Sequence, residues 1–102
     1  MKNNKHYILI ADDEKEIRDI LKLLLEGEGY EVTAVSDGRA VIAAACPEID
    51  LYLLDVNMPE MTGFMAAMEL RKTYDTPIMF LTAYSGEMDK VWDFLQVQTI
   101  MW

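Results

Sequence analysis

The sequence predicts an α/β fold, a doubly wound parallel sheet with helices on both faces. Three observations predict it. Apolar runs of strand length alternate with segments patterned at helical spacing, in the order β-α-β-α-β-α-β-α. The turns between them are short, which suits right-handed crossovers between parallel strands. And three of the apolar runs stop abruptly at a polar group, Asp12-Asp13, Asp55 and Thr82, as strands do at the carboxyl edge of an open sheet, where ligands bind.

The elements follow in order. Tyr7-Ile-Leu-Ile-Ala11 is apolar on both faces, the signature of a strand buried in a parallel sheet. It runs into Asp12-Asp13-Glu14, and a helix follows with Ile17, Ile20, Leu21, Leu24 and Leu25 on one stripe. Gly27 and Gly29 stop that helix. Tyr30 to Val35 alternates and is rich in β-branched residues, so it reads as a second strand. Ser36-Asp37-Gly38 is a turn and N-cap, and Ala40 to Cys46 a short helix ended by Pro47. Ile49 to Leu54 is the third strand, closed by Asp55 and the turn Asn57-Met58-Pro59. Gly63 to Thr73 is a helix with Phe64, Ala67 and Leu70 inward. Asp75-Thr-Pro77 turns into a fourth buried strand, Ile78 to Leu81, which ends at Thr82-Ala83, and Gly86 to Leu95 reads as helix.

Bulk properties narrow the function. A chain of 102 residues carries one domain with a real core. A net charge of −9 argues against nucleic acid binding, which needs a basic face. Cys46 stands alone, so no internal disulfide forms, and the expected home is the reducing cytoplasm. The N-terminus lacks a secretory h-region, and no run approaches the about 20 apolar residues of a membrane span. His6 precedes a strand with no second histidine, so neither metal binding nor phosphotransfer is expected of it. The eight methionines read as core fillers.

The chemistry converges at the strand ends. All carboxyl ends of a parallel sheet share one edge, so Asp12, Asp13, Asp55 and Thr82 meet in one crevice. One acid there is an ordinary cap; three are more than capping requires. Two carboxylates about 4 Å apart repel by about 1 kcal/mol in water and about 4 kcal/mol at an effective dielectric of about 20. A hard divalent cation removes that cost, and oxygen donors suit Mg²⁺. A carboxylate beside such a metal can be the nucleophile toward a phosphoryl group, giving an aspartyl phosphate whose oxygens the Thr82 hydroxyl and nearby backbone N–H groups could bind.

Three segments carry a family resemblance: Ile8-Leu-Ile-Ala-Asp-Asp-Glu14, Asp50-Leu-Tyr-Leu-Leu-Asp-Val-Asn-Met-Pro-Glu-Met-Thr-Gly-Phe64 and Pro77-Ile-Met-Phe-Leu-Thr-Ala83. In order and spacing they resemble the receiver domain of two-component response regulators, up to about Val91. The resemblance implies a flavodoxin-like sheet of order 2-1-3-4, with a fifth strand beyond. It implies that Asp55 accepts a phosphoryl group from a sensor histidine kinase. Asp13 and Asp55 would ligate Mg²⁺ directly, Asp12 through water, and Asn57 through its backbone carbonyl. Thr82 would be the switch hydroxyl, and the Ala83 backbone a phosphate contact. It also implies that the parent is a transcriptional regulator. An aspartyl-phosphate phosphatase or phosphotransferase is the competing reading, weakened by Asn57 where such enzymes place an acidic proton donor. No nucleotide-binding glycine motif occurs.

After Val91 the family pattern stops. The family's lysine has no counterpart, since no lysine follows Lys90, so a receiver inactive in phosphorylation is a further expectation. The chain therefore divides into a receiver over 1–91 and an aberrant tail over 92–102. Read from the third base of the Trp92 codon, the tail can encode Gly-Phe-Ser-Ala-Gly-Ala-Asp-Asp-Tyr-Val, the residues the family places here. A frameshift is the expected cause, and the coding DNA tests it. The expected consequences are an exposed edge on strand four, apolar surface left uncovered where the fifth helix would lie, and self-association through the edge or the tail. The segment Leu95 to Trp102, partly alternating, is expected to pair as a substitute strand, within the chain or between two chains.

Overall fold

The structure is a computed structural model and describes residues 5–82 and 98–101. Five strands form one sheet: β1 (Tyr7–Ala11), β2 (Glu31–Val35), β3 (Leu51–Asp55), β4 (Ile78–Thr82) and β5 (Gln98–Met101). Three helices connect the first four strands: α1 (Lys15–Gly27), α2 (Gly38–Ala44) and α3 (Gly63–Arg71). The strand order is β2-β1-β3-β4-β5. The first four strands are parallel, in the flavodoxin-like order expected.

The last strand bears out one expectation, a substitute strand paired within the chain, and corrects another, that β4 is an exposed edge. β5 pairs with β4 within the chain, from Thr82 opposite Gln98 to Met79 opposite Met101. The substitute strand therefore exists, β4 is not an edge, and β5 is. β5 is also antiparallel, so the sheet is mixed. The expected helix over 86–95 lies outside the described residues.

Local signals explain most boundaries. Asp37 caps α2, its side chain accepting from the Ala40 N–H at 2.8 Å. Thr62 caps α3 through the Met65 N–H at 3.2 Å. α1 stops at Gly27, and Gly29 then takes φ +99°, a left-handed turn that favours glycine. α2 ends before Pro47, as the missing proline N–H demands.

α2 and α3 pack together on one face of the sheet. There Leu9, Tyr52, Leu54, Val41, Leu70 and Phe80 are sealed in one core. On the other face, Ile17 and Leu21 of α1 pack over Ile8, Ile10, Leu53 and Leu81. Beside α1 lies a groove of about 590 Å³, lined mainly by apolar side chains of β1, β3 and β4. Two inward expectations do not hold. Leu24 is 48% exposed, because the side of α1 that meets the sheet runs through Ile17, Leu21 and Leu25, each four residues apart, and Leu24 lies on its margin. Phe64 is 43% exposed; one side of its ring meets Phe80, with centroids 4.6 Å apart, while its place in the first turn of α3 leaves the rest in solvent.

Candidate functional site

Three acids stand at the carboxyl edge of adjacent strands. β1 ends at Ala11, and Asp12 follows as the turn into α1. Its backbone N–H donates to the Val35 carbonyl at 3.2 Å, which ties it to the end of β2. Its carbonyl accepts from Arg18 Nη1 at 2.9 Å, one turn into α1. With both backbone groups held, the side chain has little freedom. Asp12 is 7% exposed and is the one buried charged residue among those described. Its Oδ1 accepts from the Glu14 N–H at 2.9 Å. Asp12 is thus not the N-cap of α1; Glu14 holds that position, without a side-chain cap bond. Asp13 is exposed.

Asp55 is the last residue of β3 and is half-buried. Its Oδ1 accepts from the Asn57 N–H at 3.1 Å. The loop after it is held at several points. The Val56 N–H donates to the Leu81 carbonyl of β4 at 3.2 Å. Met58 is buried and fastens the loop to the core. Glu60 takes φ +69°, unusual for a residue with a side chain. Gly63 then comes so close that a Cβ there would collide with the Asp55 backbone carbonyl oxygen. A glycine is required for α3 to begin against the end of β3.

One carboxylate oxygen from each of Asp12, Asp13 and Asp55 lies within 4.8 Å of the others. The electrostatics register the crowding. Burial pushes the Asp12 carboxyl up to about 7, aided by the charges of Asp55, Asp13 and Glu14 and opposed by the Glu14 amide. Burial likewise pushes Asp55 up to about 6, aided by Asp13 and Glu14 and opposed by the Asn57 amide. A cluster of oxygen donors that resists carrying its own negative charge fits a hard divalent cation, which favours the ionised form of each ligand.

The three acids expected to converge do converge. Thr82 ends β4 next to them, because Leu81 pairs with Asp55. Ala83 lies outside the described residues. The backbone of Asn57 is placed by its N–H on Asp55. Sequence reading did not assign Arg18, Met58 or Gly63 to the site. Arg18 had a signal, a basic residue one turn beyond Asp12-Asp13-Glu14 on the same helix. The collision that makes Gly63 necessary is a through-space fact with no local sequence signal.

Comparison with known proteins agrees with this geometry. Residues 8–99 match the family model of the response regulator receiver domain. The transcriptional regulatory protein CpxR of Klebsiella pneumoniae is 43% identical over 84 residues, which cover 82% of this chain and 36% of CpxR. The chain thus spans about a third of the length of the curated relatives it matches. Among solved structures, the response regulator TrrA of Thermotoga maritima in complex with Mg²⁺ and BeF superposes with a TM-score of 0.71. It is 36% identical and covers 86% of this chain and 80% of TrrA. TrrA in complex with the histidine kinase ThkA superposes with a TM-score of 0.70 and 38% identity, covering 86% of this chain and 79% of that one. With the matching sheet order and the acid cluster at its carboxyl edge, the chain belongs to the response regulator receiver domain family.

Proposed function

We propose that Asp55 is the phosphoacceptor of a signalling module, taking a phosphoryl group from a sensor histidine kinase. The observation that carries the reading is the convergence of Asp12, Asp13 and Asp55 within 4.8 Å at one sheet edge. Asp55 sits at the rim of that cluster, half-buried, with its Oδ1 already oriented by the Asn57 amide. An Asp55 carboxylate oxygen attacks phosphorus in line with the scissile P–N bond of a phosphohistidine. The O–P bond forms, the P–N bond breaks, and the imidazole leaves with the electron pair and takes up a proton.

Asp12, Asp13, Asp55 and the Asn57 backbone carbonyl are the residues that would hold Mg²⁺. When bound, the ion supplies positive charge to the phosphoryl oxygens and to the crowded carboxylates. Asp12 is locked by its two backbone hydrogen bonds and the Glu14 amide, so it acts as a fixed wall of the site. The Thr82 hydroxyl and the Ala83 N–H are assigned to the phosphate oxygens once Asp55 is modified. Phosphorylation adds charge at Asp55 and biases a two-state element through Thr82. The chain is in this reading a cytoplasmic switch and not an enzyme with an outside substrate. A transcriptional output belongs to the longer parent, by likeness to CpxR.

A second reading has a specific observation in its favour. Within residues 91–102 there is no lysine, and in this second reading the chain is a receiver in shape without phosphorylation chemistry. Intact mass separates the two. Wild type and Asp55→Asn are incubated with a small-molecule phosphodonor, with and without Mg²⁺. A Mg²⁺-dependent gain of one phosphoryl group, absent in Asp55→Asn, supports the phosphoacceptor. No gain in a folded protein that still binds Mg²⁺ establishes the inactive receiver.

A further inference from the structure

Two arginines tie down backbone carbonyls, one at each edge of the sheet. At the amino edge, Arg71 Nη1 donates to the carbonyls of Tyr74 at 3.2 Å and Thr76 at 2.8 Å, holding the turn from α3 into β4. At the carboxyl edge, Arg18 Nη1 donates to the Asp12 carbonyl at 2.9 Å. Arg18 has a more ordinary partner at hand. Glu14 precedes it at the i, i+4 spacing at which an acid and an arginine pair along a helix. Among the described residues no ion pair joins the two. The half-buried guanidinium turns to the backbone between β1 and α1 instead. The carbonyl it meets belongs to the peptide that joins Asp12 to Asp13. A peptide unit is planar, so fixing that carbonyl fixes the plane carrying the Asp13 N–H and Cα. The Asp12 carboxylate has a hold of its own, through Oδ1 and the Glu14 amide. Among the described residues the exposed Asp13 side chain accepts no hydrogen bond and forms no ion pair. Yet one of its oxygens stands within 4.8 Å of those of Asp12 and Asp55, where like charges repel.

We propose that Arg18 is a positioning residue for the metal site: through the Asp12 carbonyl it holds the peptide from which the Asp13 carboxylate reaches a divalent cation. The inference rests on the reading of Asp12, Asp13 and Asp55 as Mg²⁺ ligands. Asp13 has no side-chain partner among the described residues to aim it, so its backbone sets where its oxygens stand. That backbone is pinned on two sides, by the Asp12 N–H on the Val35 carbonyl at 3.2 Å and by Arg18 on the Asp12 carbonyl. Groups that orient metal ligands from outside are typically worth about ten- to a hundredfold in affinity. Arg71 uses the same bond far from the acids, so the two arginines differ in what their carbonyls lead to and not in chemistry.

Isothermal calorimetry of Mg²⁺ binding to the full chain tests this, at a pH above the raised carboxyls of Asp12 and Asp55 so that both are ionised. Arg18→Met keeps an apolar stem and removes every donor. Its Kd is expected about ten- to a hundredfold above wild type. Arg18→Lys, which keeps a charged donor, recovers most of that loss. In an Asp13→Asn background, whose amide oxygen remains a weaker ligand, Arg18→Met adds little further loss, because the two residues act as one unit. Arg71→Met lowers the melting temperature and leaves the Mg²⁺ Kd at the wild-type value. Where Arg18→Met does not fold, Arg18→Gln carries the same cycle. Wild-type affinity in the folded Arg18 variant, an undiminished loss in the Asp13→Asn background, or equal weakening in Arg71→Met overturns the proposal. A wild-type chain that binds no Mg²⁺ overturns it together with the metal-site reading beneath it. A chain that binds Mg²⁺ with this dependence on Arg18 but gains no phosphoryl group supports the positioning role and separates it from the phosphoacceptor reading.

Discussion

Asp50 and Asp55 flank the same five-residue strand, one before β3 and one at its end. At the amino edge, Asp50 Oδ2 accepts from the Tyr7 N–H at 2.9 Å and lies 3.5 Å from His6 Nδ1. Its negative charge meets donors, and it serves to tie the start of β1 to the start of β3. At the carboxyl edge, Asp55 meets one amide and two further acids, and burial, aided by the charges of Asp13 and Glu14, raises its carboxyl to about 6. The same side chain is structural at one end of the strand and chemically poised at the other. The difference lies in what the neighbouring strand ends supply. Parallel strands gather their carboxyl ends on one edge, and in this sequence three of the residues gathered there are acids.

The largest effect separating the two aspartates is on phosphorylation. Asp55→Asn should abolish Mg²⁺-dependent phosphorylation outright, whereas Asp50→Asn should retain it; loss in both by intact mass would erase the distinction. Next in size is Gly63→Ala. Its Cβ would meet the Asp55 carbonyl, so the β3–α3 junction must shift, at a cost of about 1–3 kcal/mol or more, and the phosphorylation rate should fall with it. Gly27→Ala is the control, since a Cβ there meets nothing within 4 Å. Equal loss from both substitutions in denaturant melts would show that backbone proximity at Gly63 is not what matters.

A third effect is a pH dependence with a defined sign. Asp12 and Asp55 rise from 3.8 to about 7 and about 6 in the folded protein. The folded chain therefore binds more protons than the unfolded chain through this interval, and stability falls as pH climbs from about 4 to about 7. Melting temperature in chelated buffer should drop across that window, and saturating Mg²⁺ should flatten the slope by favouring the ionised carboxylates. A chelated protein that becomes more stable from pH 5 to pH 7, the interval in which both raised carboxyls ionise, contradicts the clustering. The smallest effect is Asp50→Ala, which removes the hydrogen bond from the Tyr7 N–H to Asp50 Oδ2 and should cost about 1 kcal/mol, the net worth of one such bond.

Much of this was legible in the chain. β1 and α1 were readable because apolar periodicity and the glycines at 27 and 29 are local signals. The caps at Asp37 and the stop before Pro47 are likewise local chemistry. Asp12, Asp13 and Asp55 could be placed together because parallel topology alone brings them to one edge. The misreadings have physical causes as well. Leu24 has the period of an inward residue, but periodicity does not record how wide a stripe the sheet covers, and the covered stripe runs through Ile17, Leu21 and Leu25. Phe64 has a buried partner and a solvent-facing remainder, which a binary pattern cannot express. The antiparallel direction of β5 has no signature in four residues.

The amino-acid sequence by itself determined the alternation of strands and helices, the acids at the strand ends and the family to which the chain belongs. These follow from patterns within a few residues of one another and from the rule that parallel strands share an edge. Only the tertiary structure decided that Asp12 is buried while Asp13 beside it is exposed, that Gly63 abuts the Asp55 carbonyl, and that β5 and not β4 bounds the sheet. Each of these depends on contacts between segments far apart in the chain. Their energies come from the packing of whole elements, which no short stretch of sequence encodes.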